Sequence, residues 1–169
     1  MILPIVKYPD SILKRRCEPI SSFDGYLHKL AESMVETMYA APGVGLAAPQ
    51  VGELVRLIVV DPKVGEESAQ PLILVNPEVL WEEGKQRGEE GCLSIPGLTS
   101  VVERPFHIRV KAQTLEGEPL EVEGTELLAR ILHHEIDHLD GTLFIDRLSP
   151  LQREVLKRKI RKLMRSGEW

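Results

Sequence analysis

The stretch "ILHHEIDHLDG" at residues 131–141 constrains the chain more than any other. His134 and His138 stand four apart, with Glu135 directly after the first. In a helix, residues four apart share a face one turn apart, so both imidazoles can reach one ion. Glu135 then projects roughly 100° round from His134, close enough to take a proton from a water on that ion without being a ligand. This is the His-Glu-x-x-His pattern of metal hydrolases. Two hydrogen-bonded core histidines would give the same spacing, so the motif needs a partner before it becomes a site. His133 projects away from the His134/His138 face and is left out of the ligand set.

A hydrolytic metal needs three protein ligands and an open position. After His138 the chain offers no further histidine and, as acids, Asp140, Asp146, Glu154 and Glu168, of which Asp140 is too close to reach back. Upstream stands Cys92 in "EGCLSIP", and a thiolate is a strong ligand for iron, zinc, cobalt or nickel. Buried packing is the commoner fate of a free cysteine, but the glycine-flanked setting beside Glu90 favours a functional one. Cys17, between Arg16 and Glu18, is read as structural or exposed. Two cysteines argue against a disulfide framework and favour a cytosolic setting.

Around this helix the chain reads as one α+β domain over residues 1–169. Phe23, Leu27, Leu30, Met34 and Met38 have helical spacing, with Ser21 or Ser22 as cap. "APGVGLAAPQVG" (41–52) reads as a loop passing close to something. "LVRLIVVD" (54–61), "LILVNPEVL" (72–80), "HIRVKAQT" (107–114) and "LEVEG" read as strands, the last two joined by a hairpin turn. "GEEGCLSIPGL" (88–98) reads as irregular. The helix from about Thr125 to Leu139 stops at Gly141, and "LFIDRL" reads as extended. Ser149 and Pro150 cap a final helix, 149–165, with an apolar stripe of Leu151, Val155, Leu156, Ile160 and Leu163. Strands in the middle and helices segregated toward the ends argue α+β.

No apolar run approaches the roughly 18 residues of a membrane span, and the proline- and charge-broken beginning does not read as a signal peptide. Net charge is −5, but residues 151–169 carry +5 and residues 1–150 carry −10. Any polyanion would therefore meet the tail rather than the body.

Three segments in order and in register, "GVGLAAPQ" (43–50), "EGCLSIP" (90–96) and "HEIDHLDG" (134–141), resemble the bacterial peptide deformylases. The short loops and basic terminal helix look like the family's first subclass, and the resemblance implies an α+β fold with antiparallel β-sheets packed around a central metal-binding helix, with N-terminal and C-terminal helices. The resemblance covers essentially the whole chain and implies a cytoplasmic enzyme removing formate from the N-formyl-methionine of new polypeptides. It implies one divalent metal on Cys92, His134 and His138, in the cell usually Fe²⁺, with Zn²⁺, Ni²⁺ or Co²⁺ also taken. Glu135 is then the general base and acid. The side-chain amide of Gln50 and the backbone N–H of Leu93 become donors to the oxyanion.

Gly45 belongs to the loop lining the site. Val44, Leu127 and Ile131 are candidates for the apolar pocket that takes the methionine side chain, and each could equally be core. Docking to the ribosome through the basic terminal helix is a further implication, against a plain solvated face. Two departures stand out. His133 replaces a glutamine carried by some relatives, and Leu98 and Thr99 stand where many carry an arginine near the substrate backbone. The rival readings are a zinc endopeptidase, which predicts His, Asp or Glu as third ligand, a non-catalytic ribosome-binding module, which predicts loss of a site residue, and a hydrolase of the same fold acting on another acylated amine.

Overall fold

A computed structural model describes all of residues 1–169. Its elements are α1 (Gly25–Ala40), β1 (Gly45–Ala47), β2 (Leu57–Val60), β3 (Leu72–Glu83), β4 (Gln86–Cys92), β5 (Ile95–Arg104), β6 (His107–Gln113), β7 (Pro119–Thr125), α2 (Glu126–Leu139) and α3 (Pro150–Arg165). Five strands form one antiparallel sheet in the order β1-β2-β3-β6-β7, and β4 and β5 form a separate ribbon. This is the α+β arrangement expected.

The four residues of β2 are all buried, because the sheet is covered on both faces at this strand. Successive side chains point to opposite faces. Ile58 and Val60 pack with Leu132, Ile136 and Leu139 of α2. Leu57 and Val59 pack with Leu27, Leu30, Met34 and Met38 of α1. Strand β6 alternates as its sequence suggests, with Ile108, Val110 and Ala112 inward. A third cluster, around Phe144, Leu156 and Ile160, joins α3 to β5.

Several expectations are corrected. The cap of α1 is Asp24, whose carboxylate accepts from Leu27 N–H at 3.1 Å, so neither Ser21 nor Ser22 caps it and Phe23 lies outside the helix. The supposed loop 41–52 contains β1 and a 3₁₀ turn, Ala48–Val51. The supposed irregular stretch 88–98 is mostly strand: Glu89 pairs with Val101 and Glu90 with Ser100, and the register shifts before Cys92 meets Ile95. "LFIDRL" contains a 3₁₀ turn, Phe144–Arg147, closed where Leu143 N–H donates to Asp146 Oδ2 at 2.9 Å. In α3 only Leu156 and Ile160 are buried; Leu151 and Val155 are exposed, because the helix touches the body along a narrower stripe.

Both ends of α2 match their signals. Thr125 is its N-cap and Gly141, at φ +77°, follows the C-cap Asp140. A side chain on Gly141 would run into the backbone of Lys14. Beside it Cys17 N–H donates to Leu139 O at 2.8 Å, and the Cys17 side chain is buried in the core. The first segment of the chain therefore fastens the end of α2. The sole asparagine, Asn76, holds φ +50° at a bulge in β3. Its side chain accepts from Ile20 N–H and donates to Ile20 O, both at 2.8 Å.

Candidate metal centre and active site

Helix α2 is buried nearly all round, so its polar residues are forced to find partners inside the protein. His134 and His138 meet with Nε2 atoms 3.2 Å apart. The end of β4 brings Cys92 Sγ to 3.4 Å from His138 Nε2. The three donor atoms lie within 4.8 Å of one another. His134 Nδ1 is 2.5 Å from Glu90 Oε1, which directs the proton to Nδ1 and leaves the Nε2 lone pair facing the cluster. Two imidazoles and a thiol converging in a buried space are the donor set a divalent transition ion takes, and the residues fit one.

Glu135 is buried, with Oε2 3.9 Å from His134 Nε2 and Oε1 without any hydrogen-bond partner. Burial pushes its carboxyl up to about 7, against the opposing pull of His134. Gly45 makes room for it: a Cβ there would stand 2.5 Å from Glu135 Oε2. Gln50 is buried and fixed at both ends of its amide. Its Oε1 accepts from Ala47 N–H at 3.0 Å; its Nε2 donates to Ser94 Oγ at 3.0 Å and lies 3.6 Å from Cys92 Sγ. Leu93 sits in the turn between β4 and β5.

A cleft of about 550 Å³ opens beside these groups. Val44, Gly45, Gln50, Leu93, Leu127, Ile131 and Glu135 all line it, as do Cys92 and His134. Val44 and Leu127 are 40% and 48% exposed, so they form its mouth rather than plain core. His138 lies deeper. His133 faces a second, polar cavity on the other side of Arg104, as its helical position requires.

Sequence reasoning missed what holds the histidines. Arg104, fully buried, donates from Nε and Nη2 to Glu90 and from Nη1 to Asp137 Oδ2 at 2.6 Å. Arg147 donates twice to Asp137, at 2.7 and 2.8 Å, and Arg130 Nη1 donates to Glu90 Oε2 at 2.7 Å. Burial alone would raise the Glu90 and Asp137 carboxyls. Hydrogen bonds from His134 and Arg104 to Glu90, and from Arg147 and Arg104 to Asp137, outweigh it and hold both below the usual carboxylate range. Only Glu90, next to "GCLSIP", carried a sequence signal. The others come from three separate elements: Arg104 ends β5, Arg130 and Asp137 lie on α2, and Arg147 ends the 3₁₀ turn. Ser94 was likewise invisible until Gln50 was placed.

Comparison with known proteins gives a consistent result. The family model described as polypeptide deformylase matches residues 2–154. A peptide deformylase of Acidobacterium capsulatum is 50% identical over 169 residues, covering 100% of this chain and 99% of the relative. One of Thermodesulfovibrio yellowstonii is 52% identical over 160 residues, 95% of this chain and 97% of the relative. Among solved structures, a peptide deformylase from Legionella pneumophila superposes with a TM-score of 0.92 at 43% identity, covering 99% and 98% of the two chains. That from Thermus thermophilus gives 0.89 at 43% identity, covering 96% and 95%.

Proposed function

The chain belongs to the polypeptide deformylase family, and on that premise we propose that it hydrolyses the formyl group from N-formyl-methionyl ends of new polypeptides, using one divalent metal. The observation that carries this reading is the convergence of Cys92, His134 and His138 beside a buried Glu135 at the wall of an open cleft. A bound divalent ion would polarise the formyl oxygen and lower the pKa of an attacking water.

The chain's own residues supply the rest. Glu135 accepts the water's proton and returns it to the departing amine as the C–N bond breaks and formate leaves. The Gln50 amide and the Leu93 N–H are donors for the oxyanion that develops on the formyl oxygen. Both are set beforehand, Gln50 by its bond to Ala47 and Leu93 by the tight turn. Val44, Leu127 and Ile131 offer apolar surface to the methionine side chain. The donor set accepts Fe²⁺ or Zn²⁺, with Ni²⁺ and Co²⁺ as substitutes, and Fe²⁺ is the ion proposed for the cell. A thiolate in the third position sets the chain apart from endopeptidases whose third ligand is His, Asp or Glu.

The deciding experiment is formate release from formyl-Met-Ala-Ser by protein purified without oxygen, with metal assayed on the same sample. Turnover with about one metal per chain is expected. A fully metallated, folded protein that leaves the peptide untouched would overturn the reading. Cys92→Ser is expected to lower metal affinity by more than the roughly 10–100-fold that outer-shell changes alone cause; unchanged stoichiometry and affinity in a metal titration would remove Cys92 from the ligand set. Gly45→Ala displaces Glu135 and is expected to cost about 10²-fold in kcat, the scale of an ångström's misplacement. A normal rate at normal metal content would show that the loop yields instead.

No helix is long and apolar enough to cross a membrane; the cytoplasmic location proposed for the chain rests on its family. The exposed bases of α3, Arg158, Lys159, Arg161, Lys162 and Arg165, support docking to ribosomal phosphate.

A further inference from the structure

Arg130 lies about one turn before His134 on α2, roughly 6 Å along the axis, and lines the same cleft. Its side chain is nine-tenths buried. One nitrogen, Nη1, donates to three acceptors: Glu90 Oε2 at 2.7 Å, Val102 O at 3.2 Å and Gly88 O at 3.4 Å. These fix the guanidinium plane. Nε and Nη2 make no hydrogen bond to the chain. Gly88 leaves that group uncovered, because a Cβ there would stand 3.2 Å from Nη2. The side chains of Leu127 and Ile131, which line the same cleft, offer it no acceptor. That edge opens to the cleft and is not sealed from it, so an acceptor on a bound ligand can reach it.

Resting on the deformylase reading, we propose that Arg130 is a specificity-determining residue whose free Nε–Nη2 edge donates to the first side chain of the substrate, so that the enzyme also takes N-formyl-methionine sulfoxide. A thioether sulfur is a weak acceptor and the alkyl tail of norleucine none. Oxidation converts methionine into a polar side chain with a strong acceptor oxygen. A wholly apolar pocket would reject that oxygen, since burying it unpaired is unfavourable. Arg130 supplies the missing donor, and the charge on it strengthens the bond. The chemistry of the reacting formyl group is unchanged; only the tail that seats the peptide differs.

The test is kcat/KM for three peptides alike except in the first side chain: formyl-Met-Ala-Ser, its norleucine counterpart and its sulfoxide counterpart. The metallated wild type is compared with Arg130→Met and Arg130→Lys. Lysine keeps a cation beside Glu90 but lacks the second donor edge, and it serves should the methionine variant fail to fold. The wild type is expected to turn over the sulfoxide at least as well as norleucine. In the variants the sulfoxide-to-norleucine ratio is expected to fall about 10–100-fold. A wild-type ratio below one, or a ratio that the substitutions leave within twofold, overturns the proposal while formyl-methionine turnover still supports the deformylase reading. No formate from any of the three peptides overturns both.

Discussion

Replacing Glu135 with glutamine is expected to lower kcat by about 10²–10⁴-fold, the range a positioned general base contributes, while metal content stays near one per chain. The substitution keeps the side chain's size in the space left by Gly45 and removes only its capacity to take a proton. Glu135 is not among the converging donor atoms, so affinity for the ion should change little. Single-turnover formate release and metal analysis on one preparation check both halves. Near-normal turnover would end the proton-transfer role. Loss of the ion together with activity would instead make Glu135 a structural part of the metal centre.

Arg104→Met is expected to destabilise the metal-free protein by about 3–5 kcal/mol, because one partner of a buried charge network is removed and two carboxylates stay behind. For a chain of this length that corresponds to a fall in Tm of about 6–20 °C. The pH dependence carries the signature. Glu90 and Asp137 have depressed carboxyl pKa values in the folded protein. Their contribution is therefore fully present above the unfolded values, about 4–4.5, and is lost as pH falls through the folded ones. In Arg104→Met those carboxyls protonate at higher pH, so the stability gap between the two proteins should narrow as the solution is acidified. Thermal melts of metal-free samples between neutral pH and about pH 3 read this. A gap that stays constant would show that Arg104 stabilises by packing alone.

These two expectations differ in how far the sequence foretold them. Helix α2 was legible because its spacing, its motif and its glycine stop all agree, and α3 because serine and proline mark its start. The ribbon of β4 and β5 was not. Gln-Arg-Gly-Glu-Glu-Gly has little intrinsic preference for strand, and its pairing comes from β5 across the turn. Strand β1 is three residues long and is made by its partner β2. Ser21 and Ser22 are as good caps by residue type as Asp24, but the helix begins at Gly25, and only Asp24 stands three residues before the N–H of Leu27. In the site, His134, Glu135 and His138 followed from helical geometry. Cys92 was a candidate ligand from its setting, and only the resemblance put it in the expected ligand set. Arg104 and Arg147 were silent because they come from segments distant from α2, and Arg130 and Asp137 because their helical spacing does not name the partners they meet.

The seam between the chain's first segment and the end of α2 bears on the order of events in folding. The bond from Cys17 to Leu139 closes a loop of 122 residues. Closing so long a loop carries an entropic cost that the hairpins of the sheet do not bear. The sheet's hairpins are therefore expected to form early and the seam late. Helix α2 is therefore secured only when this seam closes, so the site it carries is completed after the sheet on which it packs.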